Sequence, residues 1–313
     1  MATSIITLLL LAIAALRPAS PIFFEFQSSF WLNLHQTLFR EAIRLDSEQP
    51  IKPLDVSKLT EEELAQWNKS VAYYRQHFHG KRLLFDPELI EINDKLEASP
   101  QPNGTLALSP GVQPTMLAVS ALYQRVWWPE QDRQNQQWIA WVKPLVDQHG
   151  LEIVPQLEEK FQTTWPANPL RVDLSYFVAE IGGAYTIDDP PHTTLSSVRV
   201  PQDWYGLEVL FHEASHPLAE KLEKDLGREC AAQKKQCDDL WHAVQFYTVG
   251  DVVHRALSKR GVTYDSYAEH HGLYQRGQWP KFKRALDQVW PQYLDGKTDW
   301  NRAVRALVTA YQN

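Results

Sequence analysis

The hydrophobic pattern of the chain changes near residue 170, and this change limits the folds that it can adopt. Before it, apolar residues recur with a helical period, as between Ser28 and Ile43. From Leu170 to Val200 the pattern alternates and is rich in β-branched residues, which predicts two or three strands. Asp203 can then cap a further helix. We therefore expect an α+β fold, predominantly helical, with a small sheet ahead of that helix.

Two helices in the first half carry clear start signals. Thr60 is followed three residues later by Glu63, the spelling of a capping box. Asp86 precedes Pro87, and proline is favoured in the first turn of a helix. Both helices are expected to begin at these points.

The composition is that of a globular chain with a mixed surface charge. Of the 313 residues, 44% are hydrophobic, which is enough for one large or two modest domains. The formal net charge is −7, and acidic and basic residues are interspersed without a basic stripe, which argues against nucleic acid as a partner. We expect a helical N-terminal region over residues 21–165 and a second region over 166–313.

The first 20 residues have features of a signal peptide. The apolar run from Ile5 to Leu16 is too short to span a bilayer, which needs about 20 residues. The absence of Lys or Arg before the run is atypical of a signal peptide, and the alternative is a short buried helix. We expect an exported protein, periplasmic or secreted, with no stable membrane insertion after signal removal.

The chain has only two cysteines, Cys230 and Cys237. An even number in an exported chain predicts a disulfide. On a regular helix the two Cα atoms would be too far apart to be bridged, so this segment is expected to turn.

The most specific signal is the stretch Leu210 to His216, LFHEASH. His212 and His216 stand four apart, so on a helix both imidazoles point from one face and can bind one zinc ion. Glu213 directly follows the first histidine and can take a proton from a zinc-bound water. The alternative is a pair of hydrogen-bonded core histidines, since an apolar envelope surrounds the motif and buried imidazoles need partners.

This stretch resembles the active-site helix of the zincin metallopeptidases, and the strands ahead of it strengthen the resemblance. It covers about Leu170 to Leu257. The resemblance implies a zincin-like catalytic region and a peptide or protein substrate. It also implies that an edge strand at Gly182–Ile187 binds extended peptide by strand addition.

Two histidines do not complete a catalytic zinc site, which needs a third protein ligand. The metzincin arrangement requires Gly at 219 and His at 222, where the chain has Ala219 and Leu222, so it is excluded. Glu220 lies about 6 Å further along the helix, too far to share the ion. We expect it to support a ligand histidine instead.

The gluzincin arrangement takes its third ligand from the next helix, where His242 stands near the N-terminal end. The family has glutamate at this place, but imidazole is also a strong zinc ligand. Asp251 and His254 share another face of that helix, so His242 and Asp251 cannot both face the metal on a straight helix. We predict His242 as the third ligand, with Asp251 as the alternative.

Two further expectations concern the surroundings of the motif. Pro217 removes a helical N–H and clashes with the carbonyl of Glu213, so a kink or an early helix end is expected. The resemblance to zincins implies that Tyr247, His254 or Tyr264 donates a hydrogen bond to the developing oxyanion. The alternative for each is a structural role.

These features predict an exported zinc-dependent hydrolase, a metallopeptidase that uses a zinc-bound water activated by Glu213. The alternative is a non-catalytic envelope or binding protein with a structural or vestigial zinc site. The two differ in coordination, because structural zinc has four protein ligands and catalytic zinc has three and a water. A site in which His242 and either Asp251 or His254 all reached the ion would favour the alternative.

Overall fold

The computed structural model describes residues 22–47, 51–104, 106–167, 169–178 and 183–311. The predicted signal peptide at residues 1–20 lies outside them. Within this part of the chain, no helix combines the length and the apolar character needed to cross a membrane.

Most of the described chain is helical, with one small sheet, in agreement with the predicted α+β class. The helices are α1 (Phe30–Arg44), α2 (Glu61–His77), α3 (Pro87–Glu97), α4 (Val112–Val126), α5 (Trp128–Phe161), α6 (Trp204–Ala214), α7 (His216–Ala232), α8 (Leu240–Ser258), α9 (Tyr267–His270), α10 (Trp279–Leu294) and α11 (Trp300–Ala310). The strands are β1 (Phe24–Gln27), β2 (Leu170–Ser175), β3 (Ala184–Asp188) and β4 (Pro191–Ser196).

The two helix starts read from the sequence are confirmed. At α2 the Glu63 amide donates to Thr60 Oγ1 at 3.2 Å and the Thr60 amide donates to Glu63 Oε2 at 3.0 Å, so both bonds of the capping box form. At α3 the Asp86 carboxylate accepts from the amides of Glu88 and Leu89. These side chains satisfy amides that a helix leaves unpaired at its N-terminus.

The four described strands form one mixed sheet in the order β1, β2, β4, β3. β1, β2 and β4 are parallel, and β3 pairs antiparallel with β4. The sequence pattern predicted the strands after Leu170 but not β1, whose residues FEFQ are too few to establish an alternation. β3 therefore ends the described strand order, and it packs against α6.

The helix that carries the motif lies inside the larger of two main hydrophobic clusters. One cluster is built from residues of α1 to α4 and the segments between them. The other gathers β1, α5, the sheet and α6 to α11, and on α6 it includes Leu207, Leu210 and Phe211, all fully buried. α6 packs against strands β3 and β4 and against helices α5 and α8. The sheet and these helices together therefore position the motif.

The predicted disulfide between Cys230 and Cys237 is present. α7 ends at Ala232, and the turn that follows brings the two Cα atoms to 6.2 Å, whereas a continuous helix would hold them about 10 Å apart. The bridge joins the end of α7 to the segment just before α8. It therefore ties together the two helices that carry His216 and His242.

Candidate metal centre

The motif stretch is divided between two helices. α6 ends at Ala214, Ser215 stands between, and α7 begins at His216 with Pro217 in its first turn. A regular helix cannot continue through Pro217, because proline lacks the amide hydrogen and its ring clashes with the carbonyl four residues earlier. The expected early end of the helix is confirmed.

A side chain from the sheet replaces the donor that Pro217 lacks. The carbonyl of Glu213, four residues before the proline, accepts a hydrogen bond from Thr186 Oγ1 at 2.8 Å. The same hydroxyl lies 3.3 Å from Glu213 Oε2 and 3.0 Å from Thr193 Oγ1 on the neighbouring strand. The single hydroxyl hydrogen serves the carbonyl at the shorter distance, so β3 anchors the backbone at Glu213 and lies against its carboxylate.

The carbonyl of His212 also lacks its usual helical donor at the break, and two side chains bond to it instead. It accepts from the Ser215 hydroxyl at 2.8 Å and from Gln245 Nε2 of α8 at 3.0 Å. The Gln245 amide also donates to Ser215 Oγ at 3.0 Å. Since Gln245 follows His242 by three residues, one face of α8 both presents an imidazole and holds the end of α6.

Three imidazoles meet where α6, α7 and α8 approach one another. The Nε2 atoms of His212 and His242 are 3.2 Å apart, and one ring nitrogen of each of His212, His216 and His242 lies within 4.8 Å of the other two. Among the residues that the structure describes, no other group of His, Cys, Asp or Glu side chains converges in this way. Two nitrogens bound to one tetrahedral zinc ion would be about 3.3 Å apart, so the His212–His242 separation fits zinc.

The electrostatics of the cluster also suit a cation. Burial lowers the pKa of His212 well below its usual value, and the neighbouring imidazoles lower it further. Burial lowers the pKa of His216 to about 3 and that of His242 to about 4. All three rings are therefore neutral at pH 7 and offer lone pairs, which is the ligand form of histidine.

Glu213 lies beside the imidazoles. Its Oε2 is 3.7 Å from His216 Nε2, and burial raises the pKa of this carboxyl to about 8. A cation held by the three imidazoles would oppose this effect by favouring the ionised carboxylate. Glu213 lies directly beside one of the three converging imidazoles.

Aromatic rings frame the imidazoles. Phe246 stacks on His212 with ring centres 3.6 Å apart and planes inclined by 17°. Trp241 stacks on His242 at 5.0 Å, and Trp279 meets the same imidazole edge-on at 5.7 Å. These contacts fix the ring planes and exclude water from one side of the site.

The other residues that the sequence suggested lie elsewhere. Asp251 is about 13 Å beyond His242 along α8 and pairs with Arg255 at 2.7 Å. His254 Nδ1 bonds the carbonyl of Tyr264 at 2.9 Å, and the Tyr247 hydroxyl bonds Asp287 at 3.3 Å. The structure therefore brings His242, and not the alternative Asp251, to the motif histidines.

The expectation that Glu220 supports a ligand histidine is wrong. Its side chain is 68% exposed and pairs with Lys224 on the surface of α7. One turn beyond His216, the helix has already carried it out of the cluster and into solvent.

Three residues that matter to the site were missed from the sequence: Thr186, Gln245 and Tyr267. Gln245 had a usable signal, since it stands three residues after His242 and so shares its helix face. Thr186 had none, because its contact with Glu213 crosses from the sheet to a helix. Burial, and to a lesser degree the nearby charge of Glu213, raise the pKa of Tyr267, but this residue lies on a four-residue helix with no periodicity to detect.

Thr186→Val is expected to lower the free energy of unfolding by about 1–3 kcal/mol. Valine keeps the shape of threonine but cannot donate to the carbonyl of Glu213, and Pro217 offers no amide in its place. Denaturant unfolding measures this loss.

The matched control is Thr193→Val, which removes the partner hydroxyl on β4 but leaves the donor to Glu213 in place. Thr193→Val should lower the free energy of unfolding clearly less than Thr186→Val does. Equal losses in the two variants would mean that Thr186 contributes only to the sheet.

Comparison of the chain with models of known protein families, with curated proteins and with solved structures finds no match. Its function therefore has to be inferred from the residues and geometry of the site.

Proposed function

We propose that this protein is a zinc-dependent hydrolase that cleaves peptide bonds. The observation that carries the proposal is the convergence of His212, His216 and His242 from three helices, with the carboxylate of Glu213 3.7 Å from one of the imidazoles. The sequence resemblance to zincins, which covers the motif and the strands before it, adds to this support.

Each protein group would have a distinct role. His212, His216 and His242 would hold the zinc ion, which when bound would polarise the substrate carbonyl and lower the pKa of a water molecule. Glu213 would accept a proton from the attacking water and return it to the leaving amine as the C–N bond breaks. Thr186 would keep the carboxylate in place for both transfers.

The number of ligands supports catalysis over a purely structural zinc site. A structural site has four protein ligands, whereas a catalytic site keeps one position for water or substrate. Asp251 and His254 each have another partner in the structure and lie further along α8, which leaves three imidazoles. This argues against the non-catalytic alternative.

The sheet supports a peptide or protein as the substrate. β3 lies at the edge of the described strand order and holds Glu213 through Thr186. An extended peptide could add to such an edge through main-chain hydrogen bonds, which would bring its backbone past Glu213. The disulfide is compatible with an exported protein, and we place the reaction in the periplasm or outside the cell.

The test combines metal analysis with a hydrolysis assay. We expect about one zinc ion per purified chain, and cleavage of quenched fluorescent peptides that stops on chelation and returns when zinc is added. A protein that takes up no stoichiometric zinc even from excess would refute the metal site. A zinc-loaded protein that cleaves no member of a diverse peptide library would refute the peptidase.

A further inference from the structure

Glu208 is a buried carboxylate on the metal-binding helix that the proposed chemistry does not use. It stands on α6, one helical turn before His212, and is 1% exposed. Among the described residues it forms no ion pair with a lysine, arginine or histidine. Burying a carboxyl group without a cationic partner disfavours its charged form, and this burial raises the pKa of Glu208 to about 7 although two hydrogen bonds oppose the shift.

Both hydrogen bonds of Glu208 go to the segment that follows α8. Its Oε2 accepts from the backbone amide of Tyr267 at 2.9 Å and from the Tyr264 hydroxyl at 3.1 Å. The amide of Tyr267 is the first of α9, and the residue before it, Ser266, makes no side-chain cap. Glu208 therefore caps α9 from a different helix.

A glycine on α8 makes room for this contact. A Cβ at Gly250 would lie 3.0 Å from Glu208 Oε1 and 2.8 Å from Ser266 Cβ. Any side chain there would push α8 away from the capping contact. Glu208 thus joins α6 to α9 and to the segment just before α9, while α8 packs against the carboxylate at Gly250.

Tyr267 lies next to the aromatic ring that packs on His212. Its ring is 6.3 Å from that of Phe246 with planes inclined by 13°, and Phe246 stacks on His212. Burial, and to a lesser degree the charge of Glu213, raise the pKa of Tyr267, so its hydroxyl stays protonated at neutral pH. Within the described part of the chain this hydroxyl has no hydrogen-bond partner, and it is free to donate to a substrate.

A helix of four residues is not stable by itself, because helix nucleation is unfavourable. The position of Tyr267 therefore depends on what holds α9. The Glu208 carboxylate holds it at its first amide, from a helix that also carries His212 and Glu213. Through this bond α6 helps to fix where Tyr267 lies relative to those two residues.

We propose that Glu208 is a positioning residue: it holds α9 so that the Tyr267 hydroxyl donates a hydrogen bond to the substrate carbonyl oxygen as that oxygen becomes negative. This proposal rests on the proposed hydrolase function. Donors placed at a developing oxyanion act mainly on kcat.

Kinetics of three variants test the proposal. Tyr267→Phe should lower kcat by about 10²-fold, and Glu208→Leu, which fills the volume but accepts no hydrogen bond, by about 10- to 10²-fold, both with KM and zinc content little changed. Combining the two should cost no more than the larger single effect, since both act through the same hydroxyl. Tyr247→Phe, whose hydroxyl lies against Asp287, is the matched control and should keep wild-type kcat.

An unchanged kcat in Glu208→Leu, or multiplicative losses in the double variant, would overturn the proposal. If Glu208→Leu does not fold, Glu208→Asp serves instead, because it retains the carboxyl group but withdraws the acceptor by one methylene. A severalfold fall in kcat at constant KM is then expected, and wild-type kcat would overturn the proposal.

Hydrogen exchange tests the hydrogen bond between the Tyr267 amide and Glu208, here called the tether, without an activity assay. Exchange of the Tyr267 amide should accelerate at least tenfold in Glu208→Leu, or severalfold in Glu208→Asp, and should not change in Tyr267→Phe. Unchanged exchange in the Glu208 variants would refute the tether itself. A wild-type protein that holds zinc but cleaves no peptide would instead refute the hydrolase function, so the two failures are distinguishable.

Discussion

Glu213→Gln is expected to retain zinc and to lose nearly all turnover, with kcat reduced by about 10³-fold. Glutamine has the shape of glutamate, and the substitution leaves the hydrogen bond from Thr186 to the main-chain carbonyl of residue 213 in place, so the backbone at the helix break should not move. Its amide cannot take a proton from water at neutral pH, and that transfer is the role proposed for this side chain. Metal analysis and steady-state kinetics on the same preparation separate the two properties.

The control for Glu213→Gln is Glu220→Gln, which makes the same chemical change on the exposed surface of α7. It should keep both zinc and turnover. Retention of more than about a tenth of wild-type kcat in Glu213→Gln would remove the general base from the proposal. Loss of zinc in that variant would instead assign Glu213 to metal binding.

The sequence predicted the centre of the site because those signals are local. His212 and His216 share a helix face at a spacing of four, and His242 stands near the start of the next helix. Pro217 predicted the break from the covalent structure of proline alone. Each of these features follows from helix geometry over a few residues.

The sequence could not predict the contacts that cross between elements. Thr186 supports Glu213 only because β3 lies at the sheet edge beside α6, and that order follows from strand pairing over long separations. β1 was missed for a similar reason, since its four residues become a strand only by pairing with β2, more than 140 residues later. Such pairings are fixed by the whole core and leave no local periodicity.

The tether between Glu208 and Tyr267 has one part that local sequence could predict and one part that it could not. The buried position of Glu208 was foreseeable, because it precedes His212 by one turn within an apolar stretch. Its partner was not, since a polar residue on a buried helix face can be satisfied from any element that packs there. A buried glutamate therefore marks where a partner is required without identifying it.

His242→Ala is expected to weaken zinc binding by more than about 10²-fold while leaving the fold intact. Loss of a group that merely supports a ligand costs 10- to 100-fold in metal affinity, and loss of a ligand should cost more. The imidazole is half-buried at the start of α8, and its neighbours Trp241 and Trp279 can close part of the space that alanine leaves. Competition with a chromogenic chelator measures the affinity.

Two other substitutions on α8 decide whether this loss is specific. His254→Ala removes an imidazole that bonds the carbonyl of Tyr264, and Asp251→Ala removes the carboxylate paired with Arg255. Both should bind zinc as the wild type does. Zinc at 100 times the dissociation constant should then raise the free energy of unfolding of each by about 2.7 kcal/mol. His242→Ala should not show this gain at the same zinc concentration. If Asp251→Ala lost the metal and His242→Ala kept it, the third ligand would be the carboxylate. Because about 13 Å of helix separates Asp251 from His242, α8 would then have to slide past α6 by more than two turns, against the hydrogen bond from Gln245 to His212.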